Sequence, residues 1–460
     1  MIFGKHSMCR SESNSINLTQ IKQQPDFDFL DIESIGVRCS PMCGGCKCGT
    51  LREERELNLI DEGLTHEDGR WHARYPWIKD PHQLPDNRPV AEVKLKALEK
   101  KLLKDSTGAI CYTSQIDDMV KREVARMVNE DEMRRYKGPV HYIAHHGVPK
   151  PDSKSTPLRI VFNSSASYHG HIPNEYWGKG PDLNNNLLAV LLRFRRDNVA
   201  LVGDIKKMYH SVGISELDEH THRFLWRNMD VNQPIRTYCV TAVNFGDGPS
   251  ATIAIRALQK TAELYKNEFP EAAMTLENNV YMDDIVDNVP DVNKAYQRAK
   301  EIDTVLAKGK FVVKEWIVSG VEDETTKFLG LKWNPRDDQL KVLIPTQLTD
   351  KFEKLTKRKC LSATNAIYDP LGLLSPVTVK AKILLRRLWG KKLEWDDQLD
   401  VKDCADWFDF FRDVKACEDI TIQRSVKPPG ILESDPILVM FSDASEEAIG
   451  TAAYVRLQQI

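Results

Sequence analysis

Apolar positions in the first third of the chain recur with a helical period on a basic background. Ala91, Val93, Leu95, Leu98 and Leu102 interleave with Lys94, Lys96, Lys100, Lys101 and Lys104, and Met119, Val120, Val124 and Met127 recur through residues 116–135. That spacing predicts helices within 85–137 with one face turned inward. From His141 the period shortens. Tyr142-Ile143-Ala144 and Leu158-Arg159-Ile160-Val161-Phe162 predict strands flanking the turn-rich Pro149-Lys150-Pro151-Asp152-Ser153-Lys154. Val199-Ala200-Leu201-Val202-Gly203 predicts a buried strand ending at Asp204, with a helix starting across 206–212. Residues 250–269 predict a helix through Ile253, Ala254, Ala257, Leu258 and Leu264, and 279–286 a tight hairpin with two aspartates at its turn. More strands are expected over 316–331. A mainly helical stretch follows over 345–430, broken at Asp369-Pro370-Leu371-Gly372. Residues 1–30, rich in Ser, Asn and Gln, predict a flexible lead-in; Pro428-Pro429-Gly430 predicts a linker, and 437–441 a new strand.

Composition narrows the class. A chain of 460 residues is too long for one ordinary core, so two to four domains are expected. With 41% hydrophobic and 28% charged residues, and no low-complexity tract, it is globular in character. A formal net charge of −3 argues against a uniformly basic surface but leaves room for local basic patches. No secretory leader fits the first twenty residues and no apolar run would span a bilayer, so no membrane partner is expected. Of ten cysteines, Cys111, Cys239, Cys360, Cys404 and Cys417 are scattered and read as reduced core thiols.

The candidate chemistry lies in Tyr281-Met282-Asp283-Asp284 and in Asp204. Phosphoryl transfer to a 3′-hydroxyl needs two divalent cations about 4 Å apart, and hence carboxylates that converge from distant points in the sequence. Adjacent aspartates at a hairpin tip repel each other unless a cation neutralises them. Taken alone, the pair is also what a solvated turn looks like. Asp204, at the end of a neighbouring predicted strand, would bring a third carboxylate to the same sheet edge.

With Val202-Gly203-Asp204-Ile205-Lys206-Lys207-Met208-Tyr209 upstream, the chain resembles reverse transcriptases, specifically those of the BEL/Pao class of long-terminal-repeat retrotransposons, over about residues 30–460. The resemblance implies an α+β right-hand polymerase with fingers, an antiparallel-sheet palm, a helical thumb or connection, and the truncated start of an RNase H-like domain. It implies catalytic, metal-binding roles for Asp204, Asp283 and Asp284, with two Mg²⁺ (or Mn²⁺) ions as cofactors. Tyr281 and Met282 would contact substrate. Tyr209 falls where the family places an aromatic gate against a ribose 2′-hydroxyl, although a core tyrosine on a helix would read the same way.

The hairpin through Lys150 and Arg159 resembles the fingers hairpin that grips the triphosphate, with Lys154 competing for the lysine's role. Asn244-Phe245-Gly246-Asp247-Gly248-Pro249-Ser250 occupies the place of the base-positioning motif, where Gly246 allows close backbone approach and Phe245 departs from the retroviral Pro-Gln. Lys310-Phe311-Val312-Val313-Lys314-Glu315-Trp316 resembles the motif carrying a leaving-group acid, with Lys310 and Lys314 both open. Phe328-Leu329-Gly330-Leu331-Lys332-Trp333 resembles a primer grip, though Trp333 could equally pack inside. Lys380, Lys382, Arg386, Arg387, Lys391 and Lys392 would present either a duplex-binding face or a solvated one.

Two features stand apart. Cys39, Cys43, Cys46 and Cys48, with His66 and His72 beyond, admit a structural zinc or a glycine-rich turn with free thiols. Met440-Phe441-Ser442-Asp443-Ala444-Ser445 resembles the opening of an RNase H domain with Asp443 as first metal ligand; without further carboxylates, no RNase H activity is expected. The expected organisation is an N-terminal linker with the Cys cluster (1–84), basic helices and fingers (85–200), palm (201–345), thumb or connection (346–430) and the RNase H-like start (431–460).

The function expected is RNA-directed DNA polymerisation, adding deoxynucleotides to a primer 3′-OH. RNA template, DNA primer, deoxynucleoside triphosphates and other polyprotein products are the expected partners, in the cytoplasm within element-encoded virus-like particles. A non-catalytic nucleic-acid-binding remnant is the alternative. An aspartic peptidase is excluded, because no Asp-Thr-Gly or Asp-Ser-Gly triplet occurs.

Overall fold

A computed structural model describes residues 50–149, 158–322, 325–345, 354–427 and 437–456. Lys150, Lys154 and Cys39, Cys43, Cys46 and Cys48 lie outside the described residues.

Helix α1 (Leu51–Gly63) starts in a capping box in which Thr50 and Glu53 exchange hydrogen bonds, and leads into the hairpin β1 (Leu64–Glu67) and β2 (Arg70–Ala73). The basic periodic region forms α2 (Arg88–Leu102) and α3 (Ser106–Lys121), the latter capped by the Asp105 side chain on the Gly108 amide. They bury Leu95, Tyr112, Ile116 and Met119 against a layer built from β3 (Ala125–Met127), β4 (His145–Pro149) and β5 (Leu158–Phe162), with the short helix α4 (Glu130–Arg135) between β3 and β4. The strand expected at 142–144 starts three residues later. Tyr142 and Ile143 instead bury their side chains, and the Ile143 amide donates to the Arg223 carbonyl at 2.7 Å.

Helix α5 (Leu187–Phe194) is followed by β6 (Val199–Ile205), the central strand of the molecule. The helix expected at 206–212 is only a single tight turn over Met208–Ser211, because Lys207 takes a left-handed conformation at φ 51. Strand β7 (Gly213–Ile214) and helix α6 (Glu216–Thr221) lead to β8 (Arg223–Trp226) and β9 (Arg236–Val240), which pair with each other and, through β9, with β3.

The sheet that positions the site is antiparallel, in the order β10 (Val280–Tyr281), β11 (Asp284–Val289), β6, β12 (Val313–Val318). Helices α7 (Ser250–Tyr265), α8 (Pro270–Asn278) and α9 (Val292–Ala307) cover one face. Ile253, Ala254, Ala257 and Leu258 recur along α7 at helical spacing and meet Ile205 and Ile285 of the sheet. Ala200, Val202 and Val286 point the other way, towards α5 and a second sheet of β13 (Thr326–Phe328), β14 (Leu331–Asn334), β15 (Gln339–Val342) and β16 (Ile422–Gln423).

Helices α10 (Lys357–Asn365), α11 (Ser375–Gly390) and α12 (Val401–Ala416) share a separate core around Leu384, Leu388, Trp407 and Phe410. Between this bundle and β6 lies Arg424. Its side chain is fully buried, with Nε on Asp338 at 2.8 Å and Nη2 on the carbonyls of Asp197 and Asn198 at 2.8 and 2.9 Å. A hairpin of β17 (Ile437–Ala444) and β18 (Ile449–Arg456) follows. Among the described residues no helix is long and apolar enough to cross a membrane.

Candidate active site

Asp204 and Asp284 face each other directly across β6 and β11. Directly opposed residues share a face, so both carboxylates lie on the side away from α7, α8 and α9. Asp283 is held beside them by its own carbonyl, which accepts the Ile205 amide at 2.8 Å. Reversing the chain between Tyr281 and Asp284 within two residues puts Met282 at φ 56. A side chain in that region is strained, a condition that folds tolerate chiefly where geometry matters.

The electrostatics follow from this crowding. Burial raises the Asp284 carboxyl to about 7, with the neighbouring charges of Asp283 and Asp204 adding to it and the Leu329 backbone N–H opposing. Asp204 acts likewise on Lys314, whose ammonium is raised first by its hydrogen bond to Glu315 and also by Asp204. Tyr209 is half-buried; burial and then Asp283 push its hydroxyl up.

A cleft of about 730 Å³ opens over this edge, lined by Asp204, Asp283, Met282, Tyr209, Arg159 and Lys314 among others. The structure therefore gathers residues from four predicted motifs at one place. Tyr281 lies just behind, packed beside α5 and the second sheet. Gly246 has φ 113, and a Cβ there would stand 2.1 Å from the Phe162 carbonyl oxygen, so only glycine permits this approach to β5.

Other candidates are separated from the cleft. Lys310 is in a left-handed turn at φ 56 and acts electrostatically on His72; it does not line the cleft, whereas Lys314 does. Trp333 is fully buried, with Nε1 donating to Asp338 at 2.9 Å, so its side chain packs inside. Part of the basic run on and just after α11 is paired with carboxylates. Lys380 pairs with Asp413 at 2.9 Å and Arg387 with Asp406, both on α12, and Lys391 pairs with the N-cap Asp400 at 2.8 Å, so three of the six basic residues have a carboxylate partner. His66 is engaged with the Lys308 carbonyl at 2.8 Å. Asp443 sits on β17 opposite Gly450.

One wall of the cleft has no counterpart in the sequence motifs. Asp118, near the end of α3, accepts from Arg122 at 2.8 Å and from Lys207 at 2.7 Å. His210 lies half-buried beside these two cations, and loss of solvent followed by their charge lowers it to about 3, so it stays neutral. Asn244, also in the cleft lining, buries both side-chain amide atoms with no hydrogen-bond partner among the described residues.

Among the described residues no group of three or more His, Cys, Asp or Glu is by itself arranged to hold a metal ion. The donors nonetheless suit one. Magnesium favours hard carboxylate oxygens and usually takes only one or two from protein, completing its shell with water and substrate phosphates. An Asp284 carboxyl raised by burial and then by two neighbouring carboxylates is consistent with an uncompensated site of this kind.

Residues 169–333 match the family model of reverse transcriptase (RNA-dependent DNA polymerase), and residues 356–460 match that of the Pao retrotransposon-like RNaseH-like domain. A foamy viral protease-reverse transcriptase in complex with double-stranded DNA shares the fold at a TM-score of 0.55 with 14% identity, over 97% of this chain and 69% of that one. A second foamy viral protease-reverse transcriptase structure with double-stranded DNA aligns at 0.53 with 13% identity, over 95% and 80%. No match was found among curated protein sequences.

Proposed function

We propose, for a chain that carries the reverse-transcriptase region of a Pao-type retrotransposon, that it copies RNA into DNA by transferring deoxynucleotides to a primer 3′-hydroxyl. The observation that carries this reading is the cross-strand pairing of Asp204 with Asp284 under the cleft lined by Arg159 and Tyr209.

Asp204, Asp283 and Asp284 would hold two Mg²⁺ or Mn²⁺ ions, which supply hydroxyl activation and charge neutralisation on the phosphates. The chain's own contributions are positional. Arg159 presents a forked donor to the triphosphate. Tyr209 fills the space a ribose 2′-hydroxyl would need. Lys314, beside Asp204, donates the proton to the departing pyrophosphate. Met282 and the Gly246 backbone bound the primer terminus and the base, and Lys150 is assigned to the triphosphate by resemblance alone. RNA template and DNA primer would lie along the cleft over the Asp204 and Asp283 edge, in a cytoplasmic particle. Asp443 would be the first ligand of the RNase H-like site.

Primer extension on an RNA template with Mg²⁺ or Mn²⁺, comparing the wild type with Asp283→Asn, tests the proposal. Incorporation by the wild type alone is expected. Equal incorporation by both would overturn it, and template binding without incorporation by either would leave a non-catalytic nucleic-acid binder.

A further inference from the structure

Phe245 lies between the two residues assigned above to the triphosphate and to the sugar. The Arg159 guanidinium stands over its ring at 5.0 Å from the centroid. The Tyr209 ring lies 4.6 Å away, tilted by 33°, and His210 meets the Phe245 ring edge-on at 5.9 Å. Phe245 is half-buried and lines the cleft.

Arg159 is exposed on β5, and a free arginine there would spread over many rotamers. A ring beneath the guanidinium removes that freedom while leaving the N–H groups at its rim for phosphate oxygens. The ring is itself held firmly. Gly246 presses on the Phe162 carbonyl, and Asn174 bridges the loop, accepting from the Gly248 amide at 2.8 Å and donating to the Gly246 carbonyl at 3.1 Å. The loop bearing Phe245 is thus fastened to the strand bearing Arg159.

We propose that Phe245 is a positioning residue that couples nucleotide affinity to sugar selection, holding Arg159 on one side and Tyr209 on the other. The inference rests on the polymerase reading above. It assigns a role to the position where this chain departs from the retroviral pattern. One ring sets two properties, so both should change together when it is removed.

The test is steady-state primer extension on the full chain with Phe245→Leu and Phe245→Tyr, alone and combined with Arg159→Ala. Loss of a partly exposed cation–π contact corresponds to a rise in KM for the deoxynucleotide of roughly 3- to 10-fold. Phe245→Leu should show that rise with a smaller change in kcat, and a lower preference for deoxy- over ribonucleotides. Phe245→Tyr should recover both. In the Arg159→Ala background Phe245→Leu should raise KM little further, since the two act through one contact. A Leu variant with wild-type KM and wild-type sugar preference overturns the proposal, as does an additive double variant. If the Leu variant does not fold, Phe245→Met supplies the same ringless comparison. An inactive Asp283→Asn beside a wild-type-like Leu variant removes only this inference, whereas an active Asp283→Asn removes the reading beneath it.

Discussion

Asp284 on β11 stands directly opposite Asp204 on β6, although 284 − 204 = 80 positions separate them in sequence. The antiparallel register fixes the pair on one face, and Asp283 at the adjoining turn adds a third carboxylate. Burial first, and then the charges of Asp283 and Asp204 with no cation to offset them, raise the Asp284 carboxyl from 3.8 to about 7. Stability and function therefore pull in opposite directions at this edge.

That opposition has a measurable sign. Between about pH 4 and 7 the folded, metal-free protein keeps a proton on Asp284 that the unfolded chain has lost, so raising the pH through this window lowers stability. Asp284→Asn lacks the ionisation. It is expected to melt above the wild type at pH 8 in chelator, with the advantage shrinking towards pH 4, while losing primer extension. Added Mg²⁺ should raise the melting temperature of the wild type and not of the variant. A melting difference independent of pH would remove the electrostatic account.

Tyr209 sets a second expectation. Its half-buried ring lines the cleft near Asp283. Tyr209→Ala should accept ribonucleotides far more readily, by roughly 10- to 100-fold in relative kcat/KM if the ring costs the 2′-hydroxyl about 1.4 to 2.7 kcal/mol. Competition between labelled deoxy- and ribonucleotides measures it. Unchanged sugar preference would return Tyr209 to the role of a packing residue.

The carboxylates, Tyr209 and Arg159 were legible in the sequence because each sits in a short motif at a strand end, where local pattern and chemistry coincide. The Asp118, Arg122 and Lys207 wall was not. Periodicity along α3 reports which residues face the core, and is silent about a charged pair that meets a lysine nearly ninety positions away. The pairing along the basic run on α11 was hidden for a related reason. Asp406 and Asp413 belong to the next helix and Asp400 caps it, so only tertiary packing brings them to Arg387, Lys380 and Lys391. The helix expected after Asp204 failed at one residue, the left-handed Lys207. In the sequence Asn244 is only the first residue of the base-positioning motif, because an unpartnered amide is visible only once its surroundings are known.

Arg424 should govern stability and leave the chemistry untouched. Its fully buried guanidinium neutralises Asp338 and satisfies the carbonyls of Phe194, Asp197 and Asn198 just before β6. Truncation would leave Asp338 with the Trp333 indole but no counter-charge, and three carbonyls without this donor, a loss of about 3 kcal/mol, the low end for broken buried pairs. Arg424→Ala is expected to melt well below the wild type. Arg424→Lys should recover little, since an ammonium cannot reach four acceptors with one planar fork. A melting temperature within a degree or two of wild type would contradict this.

The last expectation concerns which lysine ends the reaction. Lys310 and Lys314 are equivalent candidates in the sequence, but only Lys314 lines the cleft, close enough to Asp204 for that charge to raise its ammonium. A proton donor must reach the departing pyrophosphate, and geometry takes precedence over pKa in choosing one. Lys310 instead faces the region of His72, where its charge helps hold the imidazole neutral. Lys314→Gln should therefore slow single-turnover incorporation by roughly 100-fold, the lower end of what general acid catalysis supplies. Lys310→Gln should remain within a few-fold of wild type. The alkaline limb of the pH–rate profile should also vanish in Lys314→Gln, because that limb reports loss of the ammonium proton. If Lys310→Gln is the slower variant, or the limb survives in Lys314→Gln, the proton comes from elsewhere in the cleft.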